Sequence, residues 1–326
     1  MPKYRIADVD FDDYPELTTE AEPGRPPKTK HVPKKAQSAV LNEIVEATGL
    51  EGGFNPTYVP AKYEKVWLLS SLGTFYEQHL ISDVLALVKG GKEATRYRCQ
   101  AYPETGLDLV AAKAYRPRQF RNLRNDKAYR EGRAVLTGEG REVKKTDARI
   151  MRALNKKTAF GEQVAHSSWL LHEYTTLQKL FAAGAAVPEP YAVSDNVIVM
   201  GYIGDRTSAA PPLHEIVLSH RTAKQLFEEV LRNVELLLQL GFVHGDLSAF
   251  NILYWEGQIT LIDFPQVSSI MANPNAQFFL ERDLQRVCEY FERYGVRSNP
   301  RQLAENFWKQ YGKPEYIDEL LAELDE

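Results

Sequence analysis

The chain has 326 residues, of which 44% are hydrophobic and 26% are charged, and its formal net charge is −4. This length can hold one bilobal unit or two modest domains, and the apolar and charged fractions are ordinary for a soluble globular protein. Two cysteines, Cys99 and Cys288, give neither a zinc-binding spacing nor a disulfide framework, so we expect both to be small buried residues. No apolar run approaches the roughly 20 residues of a transmembrane helix, and no signal-peptide pattern opens the chain, so we expect a soluble cytoplasmic protein.

The first eighty residues divide into a charged segment and a helical one. Residues 1–36 are acidic and then basic with interspersed prolines, which predicts a disordered tail because little apolar surface is available to offset the entropy of ordering. An arm that binds a partner is the alternative. In residues 37–80, apolar side chains recur at helical spacing, as at Val66, Leu69 and Leu72, which predicts a helical extension packed on the domain that begins after it.

A small sheet is predicted next, with strands at residues 84–88, 95–101 and 109–115. Gly90 and Gly91 lie between the first two strands, where glycine lets backbone N–H groups approach a phosphate. The glycine turn of an ordinary hairpin gives the same pattern and is the alternative.

Lys113 lies in the middle of the third predicted strand, where a charge is costly unless it is paired. The helix predicted at 168–181 places Glu173 beside its apolar stripe, so we predict that Glu173 pairs with Lys113. Such a pair would hold an ammonium group against the α- and β-phosphates of a nucleotide. A lysine at a sheet edge and an unrelated surface glutamate are the alternative.

Residues 113–157 are strongly basic, with fifteen Lys or Arg and five Asp or Glu, a net charge of +10. We expect this insert to be partly flexible because glycines punctuate it. A solvated basic face is the ordinary interpretation of such a run. Contact with RNA or a ribosomal particle is the alternative, although no aromatic stacking motif accompanies the charges.

Residues 196–200 are predicted as a strand that leads into residues 201–204, and an amphipathic helix is predicted at 219–240. Ser219 is the expected cap of that helix and Gly241 its stop. The apolar stripe of the helix is expected to be core.

Residues 242–263 carry the strongest chemical pattern in the chain. Asp246 and Asn251 are separated by four residues, and Asp263 follows beyond a predicted hairpin turn at 256–257. The hairpin would return Asp263 to Asn251, and a carboxylate with an amide oxygen suits Mg²⁺. Asp246 is left as a base or as a group that orients a hydroxyl. A single aspartate before a strand is usually a cap or turn residue, but the full spacing, with His244 ahead, predicts phosphoryl transfer.

Beyond this stretch the chain is predicted to be helical again, from Phe278 to about Tyr294. Asp283 lies among apolar residues of that helix and is either a surface residue or a partner of the backbone around Asp246. The final fourteen residues hold six acids and one lysine on an amphipathic pattern, which predicts an acidic helix.

From about residue 80 to about residue 295, the chain resembles the RIO family of atypical protein kinases. The resemblance rests on Gly91-Lys92-Glu93-Ala94, Ala112-Lys113, Glu173, Pro188-Glu189-Pro190, the strand into Met200, His244-Gly245-Asp246-Leu247-Ser248, Asn251, Asp263-Phe264-Pro265-Gln266 and Asn273-Pro274-Asn275-Ala276. It implies an α+β, bilobal, protein-kinase-like fold. A small N-lobe at 81–200 would carry an antiparallel sheet, one key helix and the basic insert at about 116–165, and a larger, mostly helical C-lobe would cover 201–326.

The resemblance also implies roles for individual residues. Asp246 would accept the proton of the substrate hydroxyl. Asn251 and Asp263 would hold Mg²⁺, with Mn²⁺ as an alternative, and Asp263 could itself take the phosphoryl group. The residues that would contact ATP are Gly90, Gly91, Lys92, Lys113, Glu173, Met200 and Ile203.

Four positions depart from the family pattern. Lys89 and Gly90 replace the usual Ser-Thr, Arg96 replaces an apolar residue expected near the adenine, and Ala249 replaces the usual glutamate. A long activation segment is also absent, so a surface for docking a peptide is not evident.

The expected function is that of an ATP- and Mg²⁺-dependent serine/threonine protein kinase that also phosphorylates itself. One alternative is an ATPase switch that acts through an aspartyl phosphate in ribosome or RNA–protein assembly. A second is a small-molecule phosphotransferase of the aminoglycoside or choline kinase type, against which the Gly-Lys-Glu-Ala and Pro-Glu-Pro segments argue. A non-enzymatic binding module is the remaining alternative.

Overall fold

The structure is a computed structural model that describes residues 54–91, 93–116, 128–129, 131–137, 141–144, 146–156 and 158–312. The predicted tail at 1–36, Lys92, residues 117–127 of the basic insert and the acidic C-terminal segment lie outside the described residues.

Five antiparallel strands form the main sheet, in the order β1-β2-β3-β5-β4. They are β1 (Ile81–Gly90), β2 (Ala94–Ala101), β3 (Leu109–Tyr115), β4 (Pro190–Val193) and β5 (Val197–Gly201). Four of them confirm the strands predicted at 84–88, 95–101, 109–115 and 196–200. The sequence did not predict β4, because the strand is short and begins at a proline, which cannot donate to a sheet.

Alternation along the strands gives the sheet two different faces. On β2, Tyr97 and Cys99 are fully buried on one face, and Arg96 lies on the other. Arg96 is directly opposite Lys113 of β3. Residues that pair across adjacent strands share a face, so both cations lie on the same side of the sheet.

Helix α1 (Lys62–Glu77) covers the apolar face. Its Leu68 and Leu72 are fully buried in a cluster with Tyr97 and Val110. The opposite face is covered in part by helix α3 (Ala159–Ala182), where Leu170 packs against Ile198 of β5. The remainder of that face, which carries the two cations, lines a cavity.

Helix α3 (Ala159–Ala182) begins earlier than the sequence predicted, just after helix α2 (Ala148–Lys156). Its cap is Thr158, whose side chain accepts a hydrogen bond from the Gly161 N–H at 3.1 Å. The predicted start at Ser168 is wrong because this serine lies inside the helix. Its hydroxyl accepts a hydrogen bond from the Leu136 N–H at 2.9 Å, so it holds the insert rather than the helix end.

The rest of the described chain is built on helices α4 (His220–Gln239), α5 (Ala276–Glu292) and α6 (Pro300–Tyr311), with short strands β6 (Phe242–Val243), β7 (Ile252–Trp255), β8 (Gln258–Leu261) and β9 (Ser268–Ser269). The predicted cap of α4 is confirmed, since the Ser219 hydroxyl accepts a hydrogen bond from the Thr222 N–H at 3.1 Å. The apolar faces of α4 and α5 enclose one core with the β7–β8 hairpin.

None of the helices in the described ranges combines the length and apolarity that crossing a bilayer requires. Cys99 and Cys288 are both buried, as predicted.

We expect Leu72→Ala to lower the free energy of unfolding by about 2–5 kcal/mol, because it leaves a cavity between α1 and the sheet. Val59→Ala, at a side chain that is 86% exposed just before the helix, is the matched control and should change little. Urea unfolding followed by circular dichroism measures both. Equal small effects would show that α1 is not part of the cooperative core.

Candidate active site

The β7–β8 hairpin brings Asp263 back to Asn251, as predicted. The hairpin turns at Glu256 and Gly257, which both have positive φ, and the Ile262 N–H donates to the Asn251 carbonyl at 3.0 Å. Asp263 has a φ of 70°. This left-handed conformation is uncommon for a residue other than glycine and recurs at functional sites.

Lys113 joins three parts of the fold. Its Nζ lies 2.5 Å from Oε1 of Glu173 on α3 and 2.6 Å from Oδ1 of Asp263. Lys113 and Glu173 are buried, at 4% and 3% exposure. The predicted pair is therefore present, and the second partner, Asp263, is an addition that the sequence did not predict. Buried charges of this kind are tolerated only when they are paired and hydrogen-bonded, and the Tyr115 hydroxyl accordingly donates to the other oxygen of Glu173.

Arg96 is a site residue that the sequence prediction did not assign to the site's chemistry. Its guanidinium donates to Oδ2 of Asp263, so each oxygen of this carboxylate contacts a cation. Burial raises the pKa of Asp263, but Lys113 and Arg96 outweigh burial and hold that pKa well below its usual range. Asp263 is therefore ionised at neutral pH. The sequence did mark Arg96 as unusual, because it is a charged residue on β2 where the family that this chain resembles has an apolar one.

Asp246 is held by two side chains. Its Oδ1 lies 2.8 Å from an Nη of Arg286 on α5, and the Asn251 amide donates to Oδ2 at 3.3 Å. The same amide donates to the Asp246 carbonyl at 2.9 Å. Arg286 was not predicted, although it follows Asp283 by three residues and so lies on the same face of its helix.

The backbone around Asp246 is fixed by Asp283. This carboxylate accepts hydrogen bonds from the N–H groups of Gly245 at 2.8 Å and Leu247 at 3.1 Å, which confirms the predicted alternative to a surface role. Gly245 has a φ of 81°, and a Cβ there would lie 2.4 Å from the Gln266 carbonyl oxygen. Only glycine fits this close approach without moving the chain.

His244 links this loop to the hairpin. Burial lowers its pKa to about 4, so the ring is neutral at pH 7. Its Nδ1 accepts from the Asp246 N–H at 3.3 Å, and its Nε2 lies 3.2 Å from the Ile262 carbonyl oxygen. One tautomer, with the proton on Nε2, satisfies both contacts.

Two adjoining cavities meet at these residues. The deeper one, about 420 Å³, has an apolar end lined by Met200, Ile203 and Leu177. Its polar end is lined by Lys113, Glu173, Arg96 and Asp263. The second, about 330 Å³, is lined by Gly91, Glu93, Ala94, Arg96, Lys113, Tyr115, Asp246, Asp263, Pro265 and Gln266. Both volumes are within the range of small-molecule sites.

Not every predicted site residue lines these cavities. Gly90 ends β1 and lines neither of them, and a Cβ on it would meet nothing within 4 Å. Gly91 lines the second cavity, and a Cβ there would lie 2.7 Å from the Ala94 carbonyl oxygen. Asn251 lines neither cavity but contacts Asp246 and the strand before Asp263. The structure thus gives Gly91 a steric reason to be glycine and gives Gly90 none.

The donor set suits a metal ion that arrives with a phosphate ligand. Within the described ranges, no cluster of three or more His, Cys, Asp or Glu could bind a metal by itself. Asp263 and Asn251 offer one carboxylate and one amide oxygen. Mg²⁺ in phosphate sites typically takes one or two carboxylates and completes its shell with phosphate oxygens and water.

A sheet that faces a helical region across such a cleft is the arrangement of the protein-kinase-like fold. A solved Rio2 kinase structure from Chaetomium thermophilum, which contains ADP, Mg²⁺ and phosphoaspartate, shares this fold with a TM-score of 0.53 and 21% identity. The match covers 87% of this chain and 79% of that one. The predicted fold class is confirmed.

Residues 118–303 match the RIO domain, and this chain belongs to the RIO domain family. It is 30% identical to the serine/threonine-protein kinase RIO1 of Chaetomium thermophilum over 67% of this chain and 41% of that one. It is 32% identical to the RIO-type kinase Rio1 of Haloferax volcanii over 50% of this chain and 57% of that one. The chain therefore spans about half the length of these relatives. The family match does not support the small-molecule phosphotransferase alternative.

Asp283 makes the stability of this site dependent on pH. Burial raises its pKa to about 7, although the Gly245 and Leu247 N–H groups and Arg282 oppose this shift. The folded protein then retains a proton that the unfolded chain releases, so this contribution to stability is lost as the pH rises from about 4 to about 7. We expect the stability of the wild type relative to Asp283→Asn to fall across that window.

Chemical unfolding of both proteins at a series of pH values measures this difference. The comparison with the variant is needed because half-buried His172 and buried His244, with pKa values lowered to about 4, change stability in the opposite direction. Glu281→Gln, on the exposed side of the same helix, is the control. A wild-type advantage that stays constant with pH would contradict the prediction.

Proposed function

We propose that this protein is an ATP- and Mg²⁺-dependent RIO-type serine/threonine kinase that transfers the γ-phosphoryl group of ATP to protein hydroxyls, including its own. The observation that carries the proposal is the buried Lys113, which contacts Glu173 and Asp263 together at the polar end of an apolar-ended cavity. The kinases named above, which share the RIO domain, support it.

The two ends of the deeper cavity suit the two ends of a nucleotide. Met200 and Ile203 form an apolar surface for the base, with backbone groups of β5 nearby. Lys113 is the cation for the α- and β-phosphates, and Glu173 keeps its ammonium in place. Asn251 and Asp263 would hold the Mg²⁺, which supplies neutralisation of phosphate charge when bound.

Asp246 is the group that meets the substrate hydroxyl. It lines the second cavity beside Asp263, so a hydroxyl that enters there would approach the end of the phosphate chain. Asn251 and Arg286 hold the carboxylate, and Asp283 holds the backbone on both sides of it. Asp246 can therefore orient the hydroxyl and accept its proton without rearranging.

We expect Asp246→Asn to lower the rate of self-phosphorylation about 10²–10⁴-fold, the usual contribution of a general base. ATP binding should change little, because Asp246 does not line the deeper cavity. Labelling with γ-³²P ATP and titration with ATP measure the two quantities. Glu256→Gln, at the exposed turn of the neighbouring hairpin, is the matched control. Undiminished labelling of Asp246→Asn would remove Asp246 from the reaction.

An ATPase that acts through an aspartyl phosphate is the second candidate. Asp263 is ionised and borders both cavities, so its carboxylate could receive the phosphoryl group. The phosphoaspartate in the Rio2 structure supports the same chemistry. A label that hydroxylamine releases and that Asp263→Asn abolishes would favour this candidate. An acid-stable, hydroxylamine-resistant label on serine or threonine would favour the kinase reaction.

The predicted contact of the basic insert with RNA or a ribosomal particle stays a proposal. One described arginine of the insert faces inward, since Arg133 donates to the Val267 carbonyl at 2.5 Å. Use of Mn²⁺ and a cytoplasmic location also stay predictions.

A further inference from the structure

Arg96 and Lys113 contact the same carboxylate from adjacent strands. They face each other in the β2–β3 register, and each contacts a different oxygen of Asp263. Like charges directly opposite each other in a sheet are destabilising, so this arrangement requires a compensating partner. Asp263 supplies that partner for both cations.

The other two ion pairs of the site do not depend on Arg96. Without Arg96, Asp263 would still contact Lys113, and Lys113 would still contact Glu173. The two cations also differ in burial, since the Arg96 side chain is 21% exposed and that of Lys113 is 5% exposed. Arg96 can therefore leave the ion pair at a lower desolvation cost than Lys113.

A divalent ion at Asp263 needs at least one of the two carboxylate oxygens. Lys113 is retained by Glu173, whereas Asp263 is the only ion-pair partner of Arg96 among the residues that the structure describes. Arg96 is thus the group that the metal ion would displace. Arg96 also lines both cavities.

We propose that Arg96 is a phosphate-binding residue, held on Asp263 until a metal ion takes that carboxylate and then available to the polyphosphate chain of the nucleotide. The planar guanidinium suits this role, because it donates two parallel hydrogen bonds to a phosphate. The inference rests on the proposed nucleotide site and adds to it a contact at a position where the family pattern has an apolar residue.

Calorimetric titration of the full chain with Mg-ATP and with adenosine tests the proposal. Arg96→Met should weaken Mg-ATP binding by roughly 10- to 100-fold, the loss expected for charged hydrogen bonds. Adenosine lacks phosphates and should bind the variant and the wild type equally. Arg96→Lys should bind Mg-ATP with an intermediate affinity, because it keeps the charge without the planar fork.

Arg232→Met is the matched control, since it removes one cation from an ion pair, with Glu229, that lines neither cavity. Thermal unfolding without nucleotide checks that each variant is folded. Unchanged or tighter binding of Mg-ATP by a folded Arg96→Met protein would overturn the proposal, and tighter binding would show that Arg96 only competes with the metal ion for Asp263.

Metal-free ATP provides a second test. Asp263→Asn should release Arg96 without any metal ion. The substitution should therefore raise the affinity for metal-free ATP more when it is made in the wild type than when it is made in the Arg96→Met variant. Equal increases in both backgrounds would count against a direct phosphate contact.

None of these titrations requires turnover. Intact Mg-ATP binding without phosphoryl transfer would therefore overturn the proposed kinase reaction alone, and unchanged Mg-ATP affinity in Arg96→Met would overturn this inference alone.

Discussion

The buried ammonium of Lys113 is the constraint around which the site is arranged. A charge with so little exposure must be neutralised by the protein, and its two partners come from different elements, Glu173 on helix α3 and Asp263 beyond the β7–β8 hairpin. One side chain therefore ties the sheet, its covering helix and the helical region together. The same charges are those that a triphosphate and its metal ion would use.

The strand register then decides which other groups can take part. Alternation places Tyr97 and Cys99 in the core under α1 and leaves Arg96 on the side of Lys113. A shift of the register by one residue would bury the arginine and expose the tyrosine. The packing of α1 on the sheet thus maintains the polar face of the cleft, although α1 contributes no residue to either cavity.

Each of the two aspartates at the site is held by an arginine. Arg96 contacts Asp263 and Arg286 contacts Asp246. The two pairs differ in their surroundings, because Asp263 also contacts Lys113 whereas Asp246 is held by Asn251 and lies on a backbone fixed by Asp283. The fixed partners of Asp246 reduce the reorganisation that a reaction requires. A metal ion that binds Asp263 would compete with Arg96, whereas a substrate hydroxyl that binds Asp246 would compete with Arg286.

Local sequence patterns determined the elements of this fold and the chemical types at its site. Period-two and helical spacing located four of the five strands of the main sheet and helix α4, and the turn at Glu256 and Gly257 fixed the return of Asp263 to Asn251. The start of α3 was misplaced at Ser168, because a serine that binds a distant loop cannot be distinguished locally from one that begins a helix.

Apart from the Lys113–Glu173 pair, which the sequence predicted, only the tertiary structure decided which charges meet. Arg96 and Asp263 are far apart in the chain, as are Asp246 and Arg286, and no local spacing specifies these pairs. They form because the sheet, the hairpin and helix α5 pack against one another and partly bury these charged groups. A charged group that loses water in this way needs a partner of opposite charge. The sequence by itself determined the groups available for catalysis, and only the packed fold decided how each of them is held.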